Sequence, residues 1–286
     1  MTNQALDTQS TVIRSFKIKG LQIEHSEPLH KRFREPLVLC PGMWSDGEIF
    51  RDMMVNLSQL GHECIAISYR NTGKSDITGD IGKDSAYDYM EDLDTLLSYL
   101  EQKVVLVGNS MGGVIVAKYA EKNPTRVAAC ILMMSGPPRF VPLSLKAIGK
   151  VITKYWRPIW KGLPFKLTAE DNHELMLNTL PFAEAQKWER SMKPASGTAA
   201  REALSMHVFR RLRCPALVIR GMFDTFTPNQ KIIAHMLGAD FEEVPCCHLG
   251  MIDPNMPTLV STIHRWLTPK FTGMSWKRSS DLVLQH

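Results

Sequence analysis

Short, nearly all-apolar runs recur along this chain, and each is followed by a longer stretch whose apolar residues return every three or four positions. The runs at 36–40 (PLVLC), 63–70 (ECIAISYR), 103–108 (KVVLVG), 126–134 (RVAACILMM), 214–221 (CPALVIRG) and 240–246 (DFEEVPC) predict strands. The stretches at 46–61, 85–102, 111–122, 228–237 and 254–267 predict the helices between them. Ahead of these, TVIRSFKIKG and LQIEHSEP predict two short strands that meet at Gly20 in a hairpin. Strands without polar alternation are buried on both faces. The pattern therefore predicts an α/β fold, with a mostly parallel central sheet and helices on both sides of it.

Residues 137–212 break this rhythm. They carry helical periodicity without a strand pattern, and they hold Trp156, Trp160 and Trp188. We read them as a helical cap inserted into a core made of residues 11–136 and 213–268. Residues 269–286 have no clear period and read as a surface tail. No internal repeat or low-complexity tract interrupts the series.

Composition adds mostly exclusions. With 286 residues and 44% hydrophobic side chains, the chain has ample material for a large core. A net charge of +5 is too small to argue for nucleic acid, and no zinc-finger, RNA-recognition or basic-zipper pattern is present. No apolar run reaches the roughly 18 residues that a membrane span needs. The opening MTNQALDTQS lacks a cationic start and an apolar core, so no secretory signal is expected. Cys40, Cys64, Cys130 and Cys214 fall in or beside predicted strands, which suits buried thiols in a reducing, cytoplasmic compartment. Cys246, Cys247 and His248 are contiguous, which is not metal-site spacing.

The candidate chemistry lies where one strand ends. In VVLVGNSMGGVIVAKYA, Ser110 stands between Gly108 and Gly112, at the point where the strand turns into a helix. A Gly-x-Ser-x-Gly turn between a parallel strand and a helix pushes the serine hydroxyl clear of the sheet edge. The Met111 N–H then lies at the positive end of the helix, a suitable place to stabilise an oxyanion. A serine hydroxyl needs a base, and the base needs an orienting carboxylate. LVIRGMFDTFTP brings Asp224 just past one later strand, and FEEVPCCHLGMIDP brings His248 just past the next. A second oxyanion donor is expected from the loop LCPGMWSDG, where we select the N–H of Met43. Trp44 beside it is expected to line an acyl pocket.

From about Leu37 to Leu267 the chain resembles the α/β-hydrolase superfamily, in particular bacterial lysophospholipase-like and carboxylesterase-like serine hydrolases with a helical cap. ISYRNTGKSD is similar to that family's R-G-x-G-x-S stretch, with Asn71 and Thr72 in place of the usual Gly-His pair. Pro41-Gly42 stands where many members have His-Gly. The resemblance implies hydrolysis of an acyl bond by Ser110, His248 and Asp224. No metal or organic cofactor is implied, because nucleophile, base and oxyanion donors all come from the chain.

The substrate expected is a small-molecule carboxylic ester with an apolar acyl group, held beneath Trp44, Trp156 and Trp160. An acyl thioester, or transfer to another acceptor, would use the same residues. A ligand receptor on the same scaffold is the non-enzymatic alternative. Lys146, Lys150 and Lys154 recur every four residues in the cap and form a cationic stripe. The stripe could simply face water. It could also dock on an anionic membrane surface or on an acyl carrier protein. His207, near the end of the cap, is a weaker candidate for a substrate contact.

Overall fold

The computed structural model describes residues 12–206 and 211–271. The expectations placed on His207 and on residues 272–286 lie outside that range. The strands are β1 (Ile13–Ile18), β2 (Leu21–Ser26), β3 (Leu37–Cys40), β4 (Cys64–Ile67), β5 (Val104–Asn109), β6 (Val127–Met133), β7 (Pro164–Phe165), β8 (Ala195–Ser196), β9 (Ala216–Gly221) and β10 (Asp240–Val244). The core helices are α1 (Arg51–Gln59), α2 (Ala86–Ser98) and α3 (Met111–Lys122). Between β6 and β9 come α4 (Leu145–Lys150), α5 (Trp156–Lys161), α6 (Ala169–Met176), α7 (Phe182–Ser191) and α8 (Gly197–Ser205). The last two are α9 (Gln230–Leu237) and α10 (Met256–Phe271).

Eight strands form one sheet in the order β1-β2-β4-β3-β5-β6-β9-β10. The six from β4 to β10 run parallel, and β2 joins β4 antiparallel through the β1–β2 hairpin, which turns at Lys19 and Gly20, both with positive φ. Side chains alternate across each strand, and in the inner strands both sides are apolar. Leu37, Leu39, Val105, Val107, Ile131 and Ile219 face a core closed by α1 and α10. Val38, Cys40, Leu106, Cys130, Leu132 and Val218 face the other, closed by α2, α3 and α9. This two-sided burial explains why the strands lack polar alternation.

The strand order also places a site. From β3 the chain moves outward to β4, then crosses back to lay β5 on the other flank of β3. The sense of progression reverses between β3 and β5, so the loops at their carboxyl ends diverge and leave a crevice. Those ends are Cys40 and Asn109, and Cys40 is in register with Gly108.

Two details differ from the sequence reading. The final helix runs to Phe271, with Pro269 inside it, so the first residues assigned to the tail are helical. A short β7–β8 ladder also appears in the segment expected to lack strands. Among the described residues, no helix is long and apolar enough to cross a membrane.

Candidate active site

Ser110 sits at the junction of β5 and α3 with φ 54° and ψ −122°, backbone that a side chain rarely adopts. Its surroundings hold it there. The Ser110 N–H donates to the Met133 carbonyl (3.2 Å), and the Ser110 carbonyl accepts from Gly113 (2.9 Å) and Gly136 (2.7 Å). Strain that is over-determined in this way is characteristic of functional turns. The flanking glycines are needed for space. A Cβ on Gly108 would lie 2.3 Å from the Gly112 carbonyl oxygen, and one on Gly112 would lie 2.3 Å from that of Cys40. Gly42, on the facing loop, comes so near that its Cβ would lie 2.7 Å from that of Ser110.

Met43 and Met111 flank this close approach, and both line the cavity beside Ser110. Among the described residues neither backbone N–H has a hydrogen-bond partner, so both are free to receive an anion. Trp44 next to them has φ 62°, unusual for a bulky residue, and is anchored in place. Its indole N–H donates to the Phe165 carbonyl (3.0 Å), and its ring meets Phe165 edge to face at 5.4 Å. The loop after β3 is thereby tied to β7.

Asp224 and His248 meet although they come from different loops. Nδ1 of His248 lies 3.0 Å from Oδ2 of Asp224, and both side chains are fully buried. Burial pushes the Asp224 carboxyl up, but the His248 charge and hydrogen bonds from His248 and Thr227 outweigh it and hold the carboxyl below its ordinary range. The donors are concrete: Thr227 Oγ1 at 2.7 Å on Oδ2, and the N–H groups of Phe226 (2.8 Å) and Thr227 (3.1 Å) on Oδ1. A carboxylate so furnished stays ionised and fixes the tautomer of the imidazole beside it. The other ring nitrogen, Nε2, is buried and has no hydrogen-bond partner among the described residues. Phe226 packs edge to face on the His248 ring at 5.1 Å. Cys246 and Cys247 are buried, and burial pushes the Cys247 thiol up to about 12, so neither is a thiolate near neutral pH.

Asn109 is a site residue that sequence reasoning missed. Its side-chain Nδ2 donates to the backbone carbonyls of Met133 and His248, each at 3.2 Å. The residue before Ser110 thus holds the loop that carries His248. No local pattern announces a contact across 139 positions.

A cavity of about 630 Å³, counted with its open mouth, extends from Ser110. The elbow and core loops line it with Met43, Trp44, Val114 and Phe226, and the segment between β6 and β9 roofs it with Ala147, Lys150, Val151, Tyr155 and Ile159. Trp44 is where it was expected. Trp156 and Trp160 are not: they stand on the outer face of the roof and line no part of the cavity. A π-helical turn, Val151–Tyr155, joins α4 to α5. The inward places go to Tyr155 and Ile159, and Trp156 and Trp160, each one residue further on, are turned about 100° round the helix from them.

The lysine stripe is also reassigned. Lys150 and Lys154 bind the buried Asp171 carboxylate, which Tyr155 Oη also reaches at 2.7 Å. Lys146 and Lys150 bind Glu174 at 2.6 Å each. The stripe clamps the roof to α6 and is not a free cationic surface. Burial pushes Asp171 up, yet hydrogen bonds from Lys150, Tyr155 and Lys154 win and hold it well below the usual carboxylate range.

A family profile described as the alpha/beta hydrolase fold matches residues 35–157. A protein of Mycobacterium phage D29 named as a non-heme haloperoxidase is 31% identical over 240 residues, 77% of this chain and 84% of that one. A 2-hydroxy-6-oxononadienedioate/2-hydroxy-6-oxononatrienedioate hydrolase of Paraburkholderia phymatum is 28% identical over 212 residues, 68% and 73% of the two chains. Among solved structures, a thermophilic esterase from Thermogutta terrifontis superposes with a TM-score of 0.68 at 21% identity, covering 92% of this chain and 99% of that one. With its doubly covered parallel sheet and strand-to-helix serine turn, the chain belongs to the α/β-hydrolase family.

Proposed function

We propose that the protein is a serine hydrolase of carboxylic esters that works through an acyl-enzyme, with residues 137–212 as its cap. The observation that carries this reading is the buried Asp224–His248 contact of 3.0 Å, on a loop tied to the residue before the strained Ser110. Ser110 Oγ attacks the acyl carbon as its proton passes to Nε2 of His248. Asp224 stabilises the imidazolium that forms, and the N–H groups of Met43 and Met111 receive the oxyanion. The same proton then goes to the departing alkoxide. Water, activated in turn by His248, releases the acid and restores the serine.

The cavity wall favours a neutral, apolar acyl group. Among the described residues, Lys150 is the one charged residue lining it, and its ammonium is already held by Asp171 and Glu174. Among the described lining residues no free cation is left to take a second carboxylate, as a dioate like that in the Paraburkholderia relative's name would require. Acyl thioesters present the same electrophilic carbon to Ser110, so they belong in the same assay. The test is a series of p-nitrophenyl esters and acyl thioesters from acetyl to dodecanoyl. Each buried methylene contributes about 0.8 kcal/mol, so kcat/KM is expected to rise up to about fourfold per carbon until the cavity is full. Ser110→Ala is expected to lower it by roughly 10³-fold or more. Acetyl as the best substrate would refute the pocket assignment, and a rate indifferent to Ser110→Ala would refute the nucleophile.

A further inference from the structure

We propose that the outer face of the roof, residues 145–161, docks on an anionic lipid bilayer. Leu145, Ile152, Trp156 and Trp160 lie along this face and are 89%, 63%, 54% and 73% exposed. Ala147, Val151, Tyr155 and Ile159, on the inner face, line the cavity. The roof is thus apolar on both sides, while among the described residues protein covers only one. Large apolar side chains gathered on one face of a water-soluble surface mark a place of contact.

Charge selects the occupant. Arg157 and Lys161 are exposed on the same stretch and have no ion-pair partner among the described residues. No Asp or Glu occurs between residues 141 and 166. A second copy of this chain, docked through the same face about a twofold axis, would bring like charges together. A bilayer containing anionic lipid offers a negative surface and an apolar interior at once. Indole rings settle at the headgroup level, and Arg and Lys beside them meet the phosphates. The position of the face also has a consequence for access. Lipid held against it lies one helix thickness from the cavity that ends at Ser110. The docking itself depends only on the roof, so it stands or falls independently of the nucleophile assignment.

The test uses the full chain carrying Ser110→Ala, which cannot turn over lipid if the proposed mechanism holds. It is sedimented with vesicles of phosphatidylcholine alone and with vesicles that also contain phosphatidylglycerol. Binding to the anionic vesicles is expected, with a blue shift of indole emission and weakening by salt. Trp156→Ala with Trp160→Ala should abolish it. Arg157→Ala with Lys161→Ala should weaken it about 30-fold, a factor of about five for each charge. Far-ultraviolet circular dichroism and the thermal midpoint establish that each double variant is folded. The proposal is overturned if the anionic vesicles are not bound, if neutral vesicles bind equally well, or if either folded double variant binds undiminished. It is also overturned if the face proves to hold a dimer that the two tryptophan substitutions dissociate.

Discussion

The side chain of Asn109 donates a 3.2 Å hydrogen bond to the backbone carbonyl of His248, linking the strand that delivers the serine to the loop that delivers the imidazole. Two parts of the proposed site are thereby held by one amide. Asn109→Leu keeps the volume and removes the donor. A misplacement on the order of 1 Å can cost about 100-fold in rate, so kcat is expected to fall about 10- to 100-fold with KM changed little. Steady-state kinetics on a soluble ester checks this. An unchanged kcat in a folded variant would show that His248 needs no such tether.

Asp224→Asn leaves the shape of the site nearly intact but removes the anion beside His248. The imidazole then loses its tautomer preference and its counter-charge, and kcat/KM is expected to drop by roughly 10³- to 10⁴-fold. Thr227→Val removes only one of the hydrogen bonds to that carboxylate and should cost far less, on the order of several-fold. Equal losses in the two variants would mean that the loop, not the charge, is what matters.

Away from the site, His62 is fully buried, stacks on Phe33 at 3.9 Å and meets His264 at 3.0 Å. Burial, and next the His264 charge, push the His62 imidazole down to about 3. His264 is also lowered, by burial and then by Arg32. The unfolded chain takes up these protons near the ordinary histidine value, whereas the folded chain resists them. Stability is therefore fully present above about pH 6.5 and is lost progressively as pH falls toward about 3. Urea midpoints measured between pH 7.5 and 5 should decline, and His62→Phe should flatten that decline. A wild-type slope in the variant would assign the acid sensitivity elsewhere.

The roof is fastened through Asp171, whose carboxylate is buried among Lys150, Lys154 and Tyr155. Asp171→Asn removes the shared anion, but Lys154 is half exposed and rehydrates readily. We expect a loss of about 2 kcal/mol, less than a fully buried pair would give. That corresponds to a fall of roughly 4–8 °C in Tm, readable by calorimetry. An unshifted Tm would mean that apolar packing alone holds the roof.

The elements that carry the site were legible because their signals are local. The two-faced burial of β3 and β5 writes itself as unbroken apolar runs, and the elbow needs glycines at two fixed positions where any Cβ would strike backbone. The loops of Asp224 and His248 follow from counting strands. The roof was legible only as helix. Which of its residues face the cavity depends on packing against the core loops, and no periodic count shows that. For the same reason the lysines read as a free stripe, since their partners Asp171 and Glu174 lie on another helix. The role of Asn109 has no local signal, because its partner is distant in the chain.

In the proposed mechanism the buried His248–Asp224 pair makes Ser110 nucleophilic. That mechanism is tested most directly with a fluorophosphonate probe, followed by mass spectrometry of the labelled peptide. A single adduct on Ser110 is expected, with none in Ser110→Ala and greatly slowed labelling in His248→Ala. An adduct on another serine, or labelling at full rate without His248, would contradict it.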